Sequence, residues 1–234
     1  MLAFILSKMN LLLMVTAIFA IMAYFTFFVS QSVVLREAQE VLNRFSEDTY
    51  GVLTSSGQCH QTIVPIPHYI YAVGSGERRN QLRFLVSISK INIPGEKTQL
   101  SFSLLRKKDE KVLAAKLFAT NAEVNLYSWD PSTGGTIAEE TGSDPTIVLN
   151  PVSEPLETDS LLLIKEVYHG STNLYAVPCN NEAAVCAANY GQLTCLVKKS
   201  RGISACTGDC SNPSDACLKE EGFNCEVGIA TPGS

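Results

Sequence analysis

"SKMNLLLMVTAIFAIMAYFTFFVSQSVVLREAQEVLNRF", residues 7–45, sets the plan of the chain. Residues 11–29 carry no charged side chain, and as a helix they measure about 28 Å, close to the hydrocarbon thickness of a bilayer. A cleavable secretory signal has a shorter apolar core, about 7 to 15 residues, followed by small residues at the cut. Here the small side chains are Ser30 and Ser32, so the cleavage point on offer follows Ser32. Length favours an uncleaved anchor, with cleavage after Ser32 as the alternative. A buried helix of a soluble protein has no need of so long an unbroken apolar run. Lys8 precedes the stretch, whereas Arg36 follows it together with Glu37 and Glu40. The positive-inside rule therefore predicts a single-pass membrane protein with a cytoplasmic N-terminus and its bulk extracellular or periplasmic.

Beyond the apolar stretch the helical period continues. Val34, Ala38, Val41, Phe45 and Val52 recur at steps of three and four, widened by Leu35 and Leu42 and interrupted where Asp48 falls on the seam. Glu40 and Arg44 form an i, i+4 pair, and neither Gly nor Pro occurs before Gly51, so one helix of about 60 Å is expected over residues 9–50. Val34, Ala38, Val41 and Phe45 are its candidate packing residues. They can cover the protein's own globular domain or the same helix of a neighbouring subunit. Ala17, Ala20 and Ala23 give the apolar half a modest small-residue face for close helix contact.

Charge narrows the partners. The chain has 18 basic and 23 acidic residues, a formal net charge of −5, and Lys8 is the sole charged residue of 1–32. An acidic soluble part argues against nucleic acid and anionic lipid surfaces, which both need a positive footprint. The short basic runs around Arg78-Arg79, Arg106-Lys107-Lys108 and Lys198-Lys199-Ser200-Arg201 read as solvated turns and edge protection.

After Ser55-Ser56-Gly57 the period changes from helical to alternating. In "LRFLVSISKINI", residues 82–93, Leu82, Phe84, Val86 and Ile88 share one face. Further strands are expected over 99–106, 111–119, 123–129, 146–149, 160–169 and 173–177, with turns at Pro94-Gly95 and Lys107-Lys108-Asp109. The run "KVLAAKLFA" at 111–119 has a short helix as its alternative. Pro65 and Pro67 bar "IVPIPHYIY" from being a central strand throughout. Residues 130–159 read as a long acidic surface loop around one short strand; Asp130, Glu139, Glu140 and Asp144 are oxygen donors there, but their spacing matches no EF-hand.

Seven of the eight cysteines lie from Cys179 onward: Cys179, Cys186, Cys195, Cys206, Cys210, Cys217 and Cys225. The eighth is Cys59. An even count in a short, loop-rich stretch beyond a membrane reads as a disulfide framework, in which full pairing requires one tail cysteine to bond Cys59. No CxxC occurs, and only Cys206 and Cys210 are close enough to suggest a zinc pair, so no metal is predicted. The expected fold is α+β. A transmembrane anchor (1–32) leads through an amphipathic stalk helix (33–57) into an antiparallel, sandwich-like β-rich extracytoplasmic domain (58–178), followed by a cysteine-rich C-terminal lobe (179–234).

Nothing in the sequence predicts an enzyme or a cofactor. His60 beside Cys59 points away from it in an extended chain, and His68 and His169 lie in settings that suit structural or surface roles. Nucleophile-elbow, zinc-protease, phosphate-loop and dinucleotide motifs are absent from the sequence.

An apolar N-terminal helix that continues as an amphipathic stalk into a β-rich head with disulfides resembles, in architecture, the pilin-like subunits of type IV filament systems. Those subunits carry a short basic leader ending in a small residue and a glutamate early in the mature helix; here Ser7-Lys8-Met9-Asn10 has no such glycine and residues 9–32 no acid. The resemblance implies a surface structural protein, a pilin-like or accessory subunit that self-associates, or meets other assembly subunits, through the N-terminal helix. The alternative is a monomeric membrane-tethered ectodomain that binds a ligand.

Overall fold

A computed structural model describes residues 2–72, 80–93, 97–130, 135–152, 158–180, 183–223 and 225. Its first element, helix α1 (Leu2–Thr54), runs about 80 Å without a break, further at both ends than the 9–50 expected. Gly51 does not stop it. An exposed helical glycine costs about 1 kcal/mol, and the next residue, Val52, is fully buried and holds the last turn in place. The helix ends where the Ser55 hydroxyl turns back onto the Val52 carbonyl at 2.8 Å, and the Lys165 ammonium caps the Ser55 carbonyl.

Eleven described strands follow: β1 (Cys59–Pro65), β2 (Ile70–Ala72), β3 (Asn80–Leu82), β4 (Phe84–Ile91), β5 (Thr98–Arg106), β6 (Val112–Thr120), β7 (Glu123–Asp130), β8 (Thr136–Glu139), β9 (Thr146–Leu149), β10 (Ser160–Tyr168) and β11 (Ser171–Cys179). They form a five-stranded sheet of order β1-β10-β11-β7-β8, a four-stranded sheet of order β6-β5-β4-β9 and the small β2-β3 ribbon. Pairing is antiparallel except between β11 and β7. After β8 the chain crosses to the four-stranded sheet as β9 and returns through β10, which leaves β11 running alongside β7 in the same direction. The 111–119 run is strand, not helix: β5 pairs along it, and Leu113 and Phe118 turn toward the core. The acidic 130–159 region holds two strands, β8 and β9, where one was expected. Asp130 closes β7 and Glu139 closes β8, with Glu140 just beyond and Asp144 in a bend before β9.

The two large sheets face one another over a shared core. Phe84, Val86 and Ile88 of β4 and Leu100, Phe102 and Leu104 of β5 meet Val124 and Leu126 of β7, Leu161 and Leu163 of β10 and Leu174 of β11. The C-terminal half of α1 touches β6 and β5 on one sheet and β1 and β10 on the other, so it closes that side of the sandwich and covers two edge strands. β1 is one of those edges and ends at Pro65, where a ladder donor would be missing.

On the opposite face of the five-stranded sheet lies α2 (Ala183–Ser200). Its Tyr190, Leu193 and Val197 pack on Leu162, Ile164, Tyr175 and Val177. With both faces covered, β10 loses alternation and reads "SLLLIKEVY". The cysteine-rich tail is thus not only loop: an 18-residue helix supplies its core, followed by a 3₁₀ turn (Ser204–Cys206) and α3 (Asp215–Lys219).

Candidate functional site: the N-terminal helix and the clamp that holds the head

The helix presents two different surfaces. From Met9 to Val29 its large apolar side chains are all exposed; Leu12 and Phe19 each show 67% of their surface. It is long and apolar enough to cross a membrane. The hydroxyls of Thr16 and Thr26 within this stretch, and of Ser32 just beyond it, suit such a setting because each bonds inside the helix: Thr16 donates to the Leu12 and Leu13 carbonyls, Thr26 to Met22 and Ser32 to Phe28.

The outer half is packed into the head. Ala38, Leu42, Phe45, Thr49 and Val52 are buried, at steps of four and three. Of the four expected packing residues, Ala38 and Phe45 lie in the core, whereas Val34 and Val41 are half-buried at its margin. Leu42 takes the central place, Leu35 faces outward, and Asp48 does not interrupt the seam because Thr49 occupies that position, its hydroxyl donating to the Phe45 carbonyl at 2.7 Å. The Phe45 ring stacks against Phe102 at 6.1 Å. Polar ties flank this contact: the Tyr71 N–H donates to the Glu37 carboxylate at 2.7 Å, and Lys116 Nζ to Asn43 Oδ1 at 2.8 Å. The stripe therefore covers the protein's own head.

All eight cysteines are paired: Cys59–Cys225, Cys179–Cys186, Cys195–Cys210 and Cys206–Cys217. The tail partner of Cys59 is Cys225, which closes a loop of sequence separation 166; in the chain-entropy account such a bridge contributes on the order of 5 kcal/mol. Cys206 and Cys210, close in sequence, belong to different bridges, so they form no ligand pair.

A second clamp joins α2 to the sheet. Glu166 on β10 is fully buried and receives both arms of the Arg201 guanidinium, at 2.8 and 2.6 Å. The Tyr175 hydroxyl donates to the same carboxylate at 3.0 Å, Arg201 also donates to the Gly222 carbonyl, and its guanidinium lies 3.6 Å from the centre of the Tyr168 ring. Burial, reinforced by the adjacent Glu166 charge, pushes the Tyr175 hydroxyl well above its ordinary pKa, so it stays a donor. Lys198 is buried too, and donates to the Cys217 and Leu218 carbonyls at 2.9 Å near the end of α3. The Lys198–Arg201 run, expected as a solvated turn, is in this respect structural. Such pairing is invisible to a reading that sees only a run of like charges.

The histidines are dispersed. His60 lies in β1, His68 sits 3.3 Å from the Asp159 carboxylate, and His169 occupies the β10–β11 turn. That turn, with His169 and Gly170 both at positive φ (48° and 81°), is a two-residue hairpin loop of the kind that matches strand twist. No family model, curated protein or solved structure matches the chain.

Proposed function

We propose that the protein is a single-pass membrane-anchored extracytoplasmic structural protein, a pilin-like or accessory subunit of a surface filament or secretion assembly. The carrying observation is the continuity of α1: the same helix that is bare and apolar at its N-terminal half is fixed at its C-terminal half in the core of the head, with no linker between. A head joined this rigidly to its anchor takes its position from the packing of the helices. The four disulfides support a head on the oxidising side of the membrane, and Lys8 supports a cytoplasmic N-terminus.

Because the 34–52 stripe is occupied internally, assembly in this reading runs through the exposed half. Single cysteines introduced by Ala17→Cys or Ala20→Cys, in a chain whose native thiols are all oxidised, should cross-link between subunits in native membranes, and the protein in mild detergent should have a mass of several chains. A mass of one chain at every concentration, with no cross-link at any position along the apolar half, would move the assignment to a monomeric membrane-tethered ligand-binding ectodomain.

A further inference from the structure

The sheet face that carries the Arg201–Glu166 clamp extends past the end of α2, and there it opens into a cleft of about 420 Å³, within the range of small-molecule sites. Register places the lining. Tyr127 lies directly across from Glu139, Asn125 from Tyr175, and Asn173 sits between Glu123 on β7 and Glu166 on β10. Directly paired residues have Cβ atoms about 4.5–5.5 Å apart, so these side chains form one polar surface. The Tyr168 and His169 rings of the hairpin turn, edge to face at 4.2 Å, stand at its side.

Two of these side chains point to a ligand. Tyr127 is 4% exposed and Asn173 8% exposed, yet neither side chain has a hydrogen-bond partner among the described residues. The part of each that remains uncovered is its polar end, which reaches the cleft and is open there to a ligand's hydrogen bonds. Both line the cleft.

We infer that this cleft binds a neutral saccharide through its hydroxyl groups. The donor and acceptor inventory selects that chemistry. An anion meets the carboxylates of Glu123 and Glu139, while the one guanidinium at hand is already engaged by Glu166. An ammonium offers donors alone and leaves the amide N–H groups of Asn125 and Asn173 without acceptors. A sugar hydroxyl both donates and accepts, so one ring satisfies the amides, the carboxylates and the Tyr127 hydroxyl together. The inference holds for a single head and is independent of whether heads assemble.

The test uses the full chain in lipid nanodiscs, free of sugar-based detergent, and reads the fluorescence of Trp129, the single tryptophan, which follows Tyr127 on the same face of β7. Maltotriose, cellotriose, mannotriose and chitotriose are titrated beside inorganic phosphate and methylammonium. At least one trisaccharide is expected to saturate the signal. Tyr127→Phe and Asn173→Ala should each weaken that binding about fivefold or more, the equivalent of one lost hydrogen bond, while the melting temperature stays that of the wild type because no protein partner is orphaned. The assignment is overturned if none of the four saturates by about 20 mM, if phosphate or methylammonium binds in their place, or if both variants bind like the wild type. A marked fall in melting temperature for both variants would also overturn it, since it would show that the two groups are satisfied within the protein.

Discussion

The two halves of α1 share one backbone and one hydrogen-bond ladder, and they differ in where their apolar side chains go. From Met9 to Val29 nearly every side chain is apolar and nearly every one is exposed. In the second half, fewer are apolar, but they fall on one face and are covered by the sheets. Within a chain, then, apolar content alone does not decide burial. Pattern does: a stripe of period 3.6 can be matched by a sandwich side, whereas an all-round apolar surface has no partner inside a domain of this size and suits a medium that is itself apolar.

Substitutions in the two halves should accordingly act on different observables. The largest effect is expected at Phe45. Phe45→Asp puts a charge against Phe102, Leu100 and their neighbours, and should lower head stability by about 4 kcal/mol or more, read by denaturant unfolding, while membrane fractionation is unchanged. Next comes Ala20→Arg, which should cost about 2.5–3.5 kcal/mol of insertion free energy and release protein from membranes, with the head melting as before. If Ala20→Arg also melted the head early, or Phe45→Asp also released the chain, the halves would be acting as one unit and the comparison would fail. The smallest effect lies at the end of the packed half: Gly51→Ala, at an exposed helical position with nothing within 4 Å of an added Cβ, should stabilise the head by about 0.4–1 kcal/mol.

Much of this plan is legible in the sequence. The helix, strands within two residues at either end of 84–91, 98–106, 112–120, 123–130, 146–149, 160–168 and 171–179 (the third with a helix as its alternative), and the need for a Cys59 partner in the tail follow from periodicity and counting. Other parts were hidden for identifiable reasons. "AAVCAANYGQLTCLVKKS" holds Cys186, Tyr190, Leu193 and Val197 at helical steps, but its cysteines suggest a stapled loop, and only the sheet beneath gives the helix a surface. Strands β2 and β3 are three residues each, too short for a period to emerge, and β8 buries Ile137 alone, whereas β9, of the same length, alternates. The lining of the cleft is half visible: "EVNLYSW" alternates, and on its outer face Glu123 and Asn125 give way to Tyr127 and Trp129 where α2 begins to cover the sheet. What no single strand can show is that Asn173 stands beside Glu123, since that neighbour comes from a parallel pairing between segments far apart in the chain.

The Cys59–Cys225 bridge has a mechanical consequence. Once the packed half of α1 has been pulled from the head, tension along the chain reaches the start of β1, and the Cys59–Cys225 bridge ties that point to the tail. With the bridge, the covalent route from the helix to the cleft no longer runs forward through the sheets alone. It also passes from Cys59 to Cys225 and back along the short tail to Arg201, whose guanidinium is already locked onto Glu166. In the proposed reading, a load between the membrane and a ligand in the cleft is shared between this cross-linked ring and the sandwich.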